Sequence, residues 1–363
     1  MTNLIVGAGL SGATLARKLA DDGEQVLVIE KRDHIGGNTY DYIDQDTGIR
    51  LSKYGAHIFH TNSDEVWEFV NRFSEWTPYQ HRVLSYVNGK YVPVPVNITT
   101  VNTLFGTNLS SEAEMAEWLD KNQEKMQVVS SKEAALNRVG KKLYELMFEN
   151  YTKKQWDLDP SELEPSVLER IPVRTDNNDR YFTDKYEALP TNGYTQFVAN
   201  MLDHENIEVR LEEAYEPGKY QADRVFFTGK IDTYFADKYG KLEYRSLNFT
   251  LHTYKTEDYQ PSAVVNYPSL EYPYTRKIDY KKFYPIDSEY SIVAEEYSTD
   301  KGEEYYPVPT QRNRELYAKY QAEAMRLESK GIYFVGRLAE YKYFNMDQAI
   351  LSALQLYSKI SVN

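Results

Sequence analysis

Cysteine is absent from the 363 residues. No disulfide, thiolate nucleophile or cysteine metal site can form. Long apolar runs are missing as well, since no stretch reaches the roughly 18 consecutive apolar residues of a membrane helix. The opening Met1-Thr2-Asn3-Leu4-Ile5-Val6-Gly7 has neither the basic segment nor the apolar core of a secretory leader. A cytoplasmic protein is expected. Positive charge is in deficit: 42 Lys and Arg stand against 55 Asp and Glu, a net charge of −13. That balance excludes nonspecific nucleic-acid binding as the main activity, because phosphate neutralisation needs a cationic excess. It also disfavours an anionic membrane surface as a partner. A small anion held by a few local arginines remains open.

Tyrosine is abundant instead, with 33 Tyr against 14 Phe and 4 Trp. An apolar ring with a polar tip suits half-wet clefts better than dry cores. The length suggests two or three domains at about 150 residues each. Leu4-Ile5-Val6 is a short apolar run ended by glycine. Ser11 to Asp21 carries Ala13, Leu15, Ala16, Leu19 and Ala20 at helical spacing, and Val26-Leu27-Val28-Ile29 is a second continuous apolar run. Together they read as a βαβ unit of a parallel sheet.

Val83 to Val87 and Tyr91 to Val94 flank Asn88-Gly89, a strong hairpin signal. Residues 101–165 read as helical, with capping-box patterns at Ser111-x-x-Glu114 and Ser130-x-x-Glu133 and a third helix over Lys141 to Tyr151. Residues 180–190 and 242–297, rich in Tyr, Val, Thr and Phe, suit an antiparallel sheet. Asp223 to Thr228 and Gly331 to Val335 again look like buried strands, and a final helix covers Met346 to Lys359. The fold class is therefore α/β: a Rossmann-type dinucleotide domain interrupted by a helical insertion and an antiparallel sheet. The expected bounds are 1–75, 191–240 and 325–363 for the nucleotide domain and 99–170 for the helical part, expected to act as a substrate lid. The sheet takes 76–98, 171–190 and 241–324.

Gly7-Ala8-Gly9-Leu10-Ser11-Gly12 is a GxGxxG pattern between strand and helix, and Glu30 ends the next strand 18 residues after Gly12. Gly7 permits the tight turn, Gly9 lets a pyrophosphate approach the backbone, and Gly12 lets the helix pack on the sheet. The helix N-terminus then faces phosphate charge, and Glu30 would accept from an adenosine ribose. Lys31-Arg32, Gly36-Gly37-Asn38 and the C-terminal Phe334-Val335-Gly336-Arg337, feeding the last helix, extend the site along the chain. Such an extended site favours FAD over NAD.

Several segments resemble the bacterial UDP-galactopyranose mutases. They are the glycine motif, Gly55-Ala56-His57-Ile58-Phe59-His60-Thr61, Tyr151-Thr152-Lys153-Lys154-Gln155-Trp156 and Arg170-Ile171-Pro172-Val173-Arg174. Tyr181-Phe182, Thr275-Arg276, Tyr305-Tyr306-Pro307 and Tyr341-Lys342-Tyr343 complete the set, in order over nearly the whole chain. The resemblance implies an FAD enzyme, commonly a homodimer, that interconverts UDP-galactopyranose and UDP-galactofuranose and so supplies galactofuranose for cell-surface glycans. It also implies that the reduced flavin acts through N5, forming a covalent adduct at sugar C1 with UDP as leaving group, so no net electrons move.

On that resemblance Trp156 stacks on uracil, with Phe148, Thr152 and Phe182 completing the uridine pocket. Arg170 and Arg276 hold the diphosphate, as paired guanidiniums do, and Tyr151, Tyr181, Tyr306 and Tyr343 donate phenolic hydrogen bonds. Gly7, Gly9, Leu10, Ser11, Gly12, Glu30, Lys31, Gly37, Asn38, Ile58, Gly336, Arg337 and Met346 are assigned to the cofactor. His57 is placed near the isoalloxazine and counted with Arg170 and Arg276 as catalytic. His60 is read as structural, since residues i and i+3 of a strand point to opposite faces. No metal cluster is visible. Asn345 stands where the family commonly has Asp, removing one negative charge near the diphosphate, and Asp279 stands where Glu is usual. Two other readings compete: an amine-oxidase-like FAD oxidoreductase, and a nucleotide-sugar or NAD sensor without catalysis. The uridine block and paired arginines argue against the oxidoreductase.

Overall fold

The computed structural model describes residues 1–361. A five-stranded sheet runs in the order Ile207–Arg210, Gln25–Ile29, Thr2–Val6, Arg224–Phe227, Ile332–Phe334, with every neighbouring pair parallel. Leu4, Ile5, Val26, Val28 and Ile29 are all buried, as strands covered on both faces require. The helix Leu10–Asp21 packs against the C-terminal helix Met346–Ser361. Fully buried Ala13, Ala16 and Ala353 keep their facing sides small, and the Ser11 hydroxyl donates to the Ala349 carbonyl at 3.0 Å.

The helical insertion holds Ile98–Phe105, Glu112–Asn122 and Ser131–Leu143, then a continuation through Trp156. Gly140 breaks the helical path with φ +76° and ψ 171°. A Cβ there would lie 2.0 Å from the Asn122 carbonyl oxygen, so the close approach admits only glycine. The helix expected over Lys141 to Tyr151 restarts after this kink. It passes through a π-helical turn at Tyr144–Phe148 and ends at Trp156, where Asp157 adopts a left-handed conformation. The capping box at Ser111 forms in full. At Ser130 it does not: the hydroxyl turns to the Glu133 carboxylate instead of accepting from the helix backbone. This insertion carries its own apolar cluster, which includes Val101, Met115, Val139 and Leu143.

The second sheet has seven strands in the order Tyr306–Pro307, Tyr244–Tyr254, Ser291–Thr299, Arg276–Asp279, Val264–Asn266, Val83–Val87, Lys90–Pro93. Its pairs are antiparallel except Val264–Asn266 with Val83–Val87, which is parallel. Tyr186–Pro190, expected in this sheet, instead lies between Phe59–Thr61 and Trp76–Pro78 in a separate three-stranded sheet. The tyrosine-rich composition foretold a strand but could not name its partner. No helix among the described residues is long and apolar enough to cross a membrane.

Asp279 is 1% exposed, and no side chain partners either carboxylate oxygen. Burial, only partly offset by Lys282, pushes its carboxyl up to about 6. A raised carboxyl favours the fold while protonated and loses that advantage as pH climbs through the folded value. Asp279→Asn is therefore expected to leave Tm unchanged near pH 4 and raise it at pH 8. The gain at pH 8 should be at most about 3 kcal/mol, checked by thermal melts at both pH values.

Candidate functional site

Two cavities meet at the C-terminal edge of the parallel sheet. The first, about 410 Å³, is lined by Gly7, Gly9, Leu10, Ser11, Gly12, Glu30, Lys31, Gly37 and Asn38, together with His57, Gly336, Arg337 and Met346. All were assigned to the cofactor from sequence. Ile58, assigned with them, lines the second cavity and not the first.

The three glycines of the motif divide their work. Gly7 has φ +109°, and a Cβ on it would lie 2.1 Å from the Thr228 hydroxyl. A Cβ on Gly12 would lie 2.0 Å from the Gly7 carbonyl oxygen. Gly9 is different: its φ is −81°, open to any residue, and its nearest neighbour to a Cβ is the Gly37 Cα at 3.7 Å. The protein itself does not need glycine there; the space it leaves belongs to the cavity. That is a cradle fitted to a backbone-hugging pyrophosphate. The buried Glu30 carboxylate already accepts from the Ala8 N–H (2.9 Å) and the Arg32 N–H (3.0 Å). Each of its oxygens keeps capacity for a ribose hydroxyl.

Sequence reasoning missed much of the far wall, including Tyr215, Thr228, Lys230, Tyr234, Glu303 and Glu304. Thr228, directly after a buried strand, was the findable one. Glu303 and Glu304 sit in a loop between strands and reach Arg32 at 2.7 Å and Lys230 at 2.5 Å, pairings with no signature in sequence.

The second cavity, about 700 Å³, gathers every residue assigned to the substrate: Phe148, Tyr151, Thr152, Trp156, Arg170, Tyr181, Phe182, Arg276, Tyr306, Tyr343 and Asn345. The π-helical turn and the helix Glu149–Trp156 supply the first four. Trp156 is more buried than its polar sequence neighbours suggested, at 4% exposure, in a cluster with Leu163 and Val308. Its ring lies 6.0 Å from that of Tyr343.

The cationic wall is built of arginines and tyrosines. Arg170 sits over the Tyr343 ring at 4.5 Å, and the Tyr343 and Tyr306 rings stack at 5.1 Å. Burial alone would raise the Tyr343 phenol, but Arg170, Arg337 and Arg276 outweigh it and draw it below its ordinary value. Arg276 is held through Nε by Glu296 at 2.8 Å. Glu296 is fully buried and also takes the Thr275 hydroxyl at 3.1 Å. Burial opposes the Arg276 charge, and Glu296 more than compensates, keeping it protonated. Its terminal nitrogens make no hydrogen bond among the described residues, so the fork remains available for an anion.

His57, Arg337, Asn345 and Met346 line both cavities. His57 Nδ1 lies 2.8 Å from the Gly55 carbonyl, which can only accept. The proton therefore sits on Nδ1, and Nε2 offers a lone pair. Burial, with Arg337 adding to it, pulls the imidazole down to about 4, so it is neutral near pH 7. His60 lines the second cavity, stacks on Phe182 at 3.7 Å and lies 3.2 Å from Asp184. The Asn345 N–H donates to the Gln348 side chain at 2.9 Å, the returning half of a capping box at the start of the last helix. His81, Ser85, Gln155 and Asn266 also line this cavity and were not foreseen. Burial pulls the His81 imidazole down to about 3. No cluster of His, Asp or Glu among the described residues could hold a metal.

Comparison with known proteins gives a consistent pattern. The family model for UDP-galactopyranose mutase matches residues 146–343, and that for the NAD(P)-binding Rossmann-like domain matches residues 5–73. A probable UDP-galactopyranose mutase of Klebsiella pneumoniae is 41% identical over 97% of this chain and 92% of its own. A dTDP-fucopyranose mutase of Escherichia coli is 39% identical over 98% of each. Among solved structures, a reduced UDP-galactopyranose mutase superposes with a TM-score of 0.77 at 16% identity, covering 99% of this chain and 94% of its own.

Proposed function

Because the chain belongs to the UDP-galactopyranose mutase family, a family of flavin-dependent isomerases, we propose that it interconverts UDP-galactopyranose and UDP-galactofuranose. In this reading FAD fills the first cavity and is active when reduced. The enzyme is a cytoplasmic homodimer whose helical insertion, residues 99–170, serves as the lid, and its product feeds cell-surface glycans. The observation that carries the reading is the meeting of the two cavities at His57, Arg337, Asn345 and Met346, directly beside the arginine and tyrosine wall.

When bound, the reduced cofactor supplies covalent catalysis at the anomeric carbon through its N5 position, without net electron transfer. The chain's own residues do the rest. Trp156 and Phe148 take the base, while Thr152 and Phe182 complete the uridine pocket. Arg170, Arg276 and the phenols of Tyr151, Tyr181, Tyr306 and Tyr343 hold the diphosphate. That grip disperses charge on the leaving group and keeps it beside the sugar, so its return is effectively unimolecular. His57, neutral and with its tautomer fixed by Gly55, offers an acceptor at the junction without adding charge. Asn345, at the same junction, is a neutral neighbour to the diphosphate where Asp would repel it.

The near-equal identity to a dTDP-fucopyranose mutase gives the second substrate reading, dTDP-fucopyranose. One assay decides. The purified protein is checked for flavin absorbance and then incubated with each furanose nucleotide sugar, with and without dithionite. Conversion of the UDP sugar only after reduction is the expected result. Preference for the dTDP sugar would shift the substrate assignment. Net oxidation by the unreduced protein would support the oxidoreductase, and binding without conversion the sensor.

A further inference from the structure

The proposed function gives no role to Lys153, Lys154 or Gln155, between Thr152 and Trp156. Lys153 pairs with Glu149 (2.9 Å) and Asp159 (3.2 Å). Lys154 has no carboxylate partner. Its ammonium donates to four backbone carbonyls, those of Tyr267, Ser269 (3.0 Å), Tyr272 (3.0 Å) and Tyr274 (2.9 Å). An ammonium carries three protons, so four acceptors at this range share them, as oxygen ligands share a cation.

All four carbonyls lie in residues 267–275, the connection between Val264–Asn266 and Arg276–Asp279. Asn266 and Arg276, at its two ends, line the second cavity. From the helix, Tyr151, Thr152, Gln155 and Trp156 line the same cavity. One ammonium therefore joins two walls that come from different parts of the fold. Burial draws Lys154 down to about 8, with no charged group offsetting the cost, so it stays protonated near neutral pH. Taking the ammonium away would leave the Tyr267, Tyr272 and Tyr274 carbonyls without a donor among the described residues, while Ser269 keeps the Tyr272 N–H at 3.4 Å.

We propose that Lys154 is a positioning residue, a clamp between the helix bearing Trp156 and the loop leading to Arg276, which fixes the spacing between the base end and the diphosphate end of the cavity. The proposal rests on reading that cavity as the nucleotide-sugar site. Lys154→Met keeps the length and removes the donors. It is expected to raise both KM for the nucleotide sugar and the Kd of UDP by about tenfold or more, with kcat changed much less and flavin content unchanged. Lys154→Arg should bind UDP more tightly than Lys154→Met. Hydrogen exchange on the wild-type protein gives a readout that needs no variant: UDP should slow exchange in both Glu149–Trp156 and residues 267–275. Unchanged KM and Kd in Lys154→Met, a fall in Tm with binding intact, or protection of one segment alone would overturn the clamp. Failure of UDP to bind the wild-type protein would overturn the substrate reading and the clamp with it.

Discussion

Replacing Arg276 by alanine is expected to lower kcat/KM by about a thousandfold, roughly 4 kcal/mol of transition-state stabilisation, with the cofactor still bound. The guanidinium is fixed by Glu296, itself fully buried, so the charge offered to the diphosphate is oriented before substrate arrives. The same pairing makes the substitution costly to the fold, because it strands a buried carboxylate, and such losses reach about 3–5 kcal/mol. Arg170→Ala separates the two effects. Arg170 rests on the Tyr343 ring and has no carboxylate partner among the described residues. Its removal should therefore cost turnover on a similar scale with little change in Tm. Steady-state kinetics, a flavin spectrum and a melt of each variant check this. Near-normal kcat in Arg170→Ala would sink the diphosphate assignment.

The second large effect concerns the glycine motif. Gly9→Ala should fold and melt like the wild-type apoprotein, because φ −81° suits alanine and its Cβ meets only Gly37 at van der Waals distance. It should nonetheless weaken FAD binding by up to about a hundredfold, since the new methyl occupies the space left for the pyrophosphate and overpacking costs about 1–3 kcal/mol. Gly12→Ala should behave in the opposite manner. Its Cβ would lie 2.0 Å from the Gly7 carbonyl oxygen, so the apoprotein itself should be destabilised. Apoprotein melts and flavin titrations of the pair distinguish a glycine kept for the ligand from one kept for the fold. Equal cofactor affinity in Gly9→Ala would remove the pyrophosphate from that position.

Much of this was readable in the chain because the relevant physics is local. The βαβ unit, the Asn88-Gly89 hairpin, the Ser111 capping box and the last helix each depend on residues a few positions apart. What escaped depends on contacts distant in sequence. Nothing near Tyr186–Pro190 says that it pairs with Phe59–Thr61 rather than with the large sheet. The Ser130 pattern matches the Ser111 one, yet its hydroxyl finds the Glu133 carboxylate first. The substrate residues came from motif resemblance, and the structure places them around one cavity. Ser85 and Asn266, register partners on neighbouring strands of that cavity, carried no motif. The acidic chain and its anionic ligand are reconciled locally, since Arg170, Arg276 and Arg337 form an enclave of positive charge inside a molecule of net charge −13.

The shared wall of His57, Arg337, Asn345 and Met346 has a thermodynamic consequence. Side chains that border both cavities settle into one arrangement for both occupants, so occupation of either site changes the free energy of filling the other. Such linkage is reciprocal: whatever factor the cofactor contributes to nucleotide-sugar affinity, the nucleotide sugar returns to cofactor retention. If the bound cofactor raises nucleotide-sugar affinity, saturating nucleotide sugar should lower the cofactor's dissociation constant by the same factor.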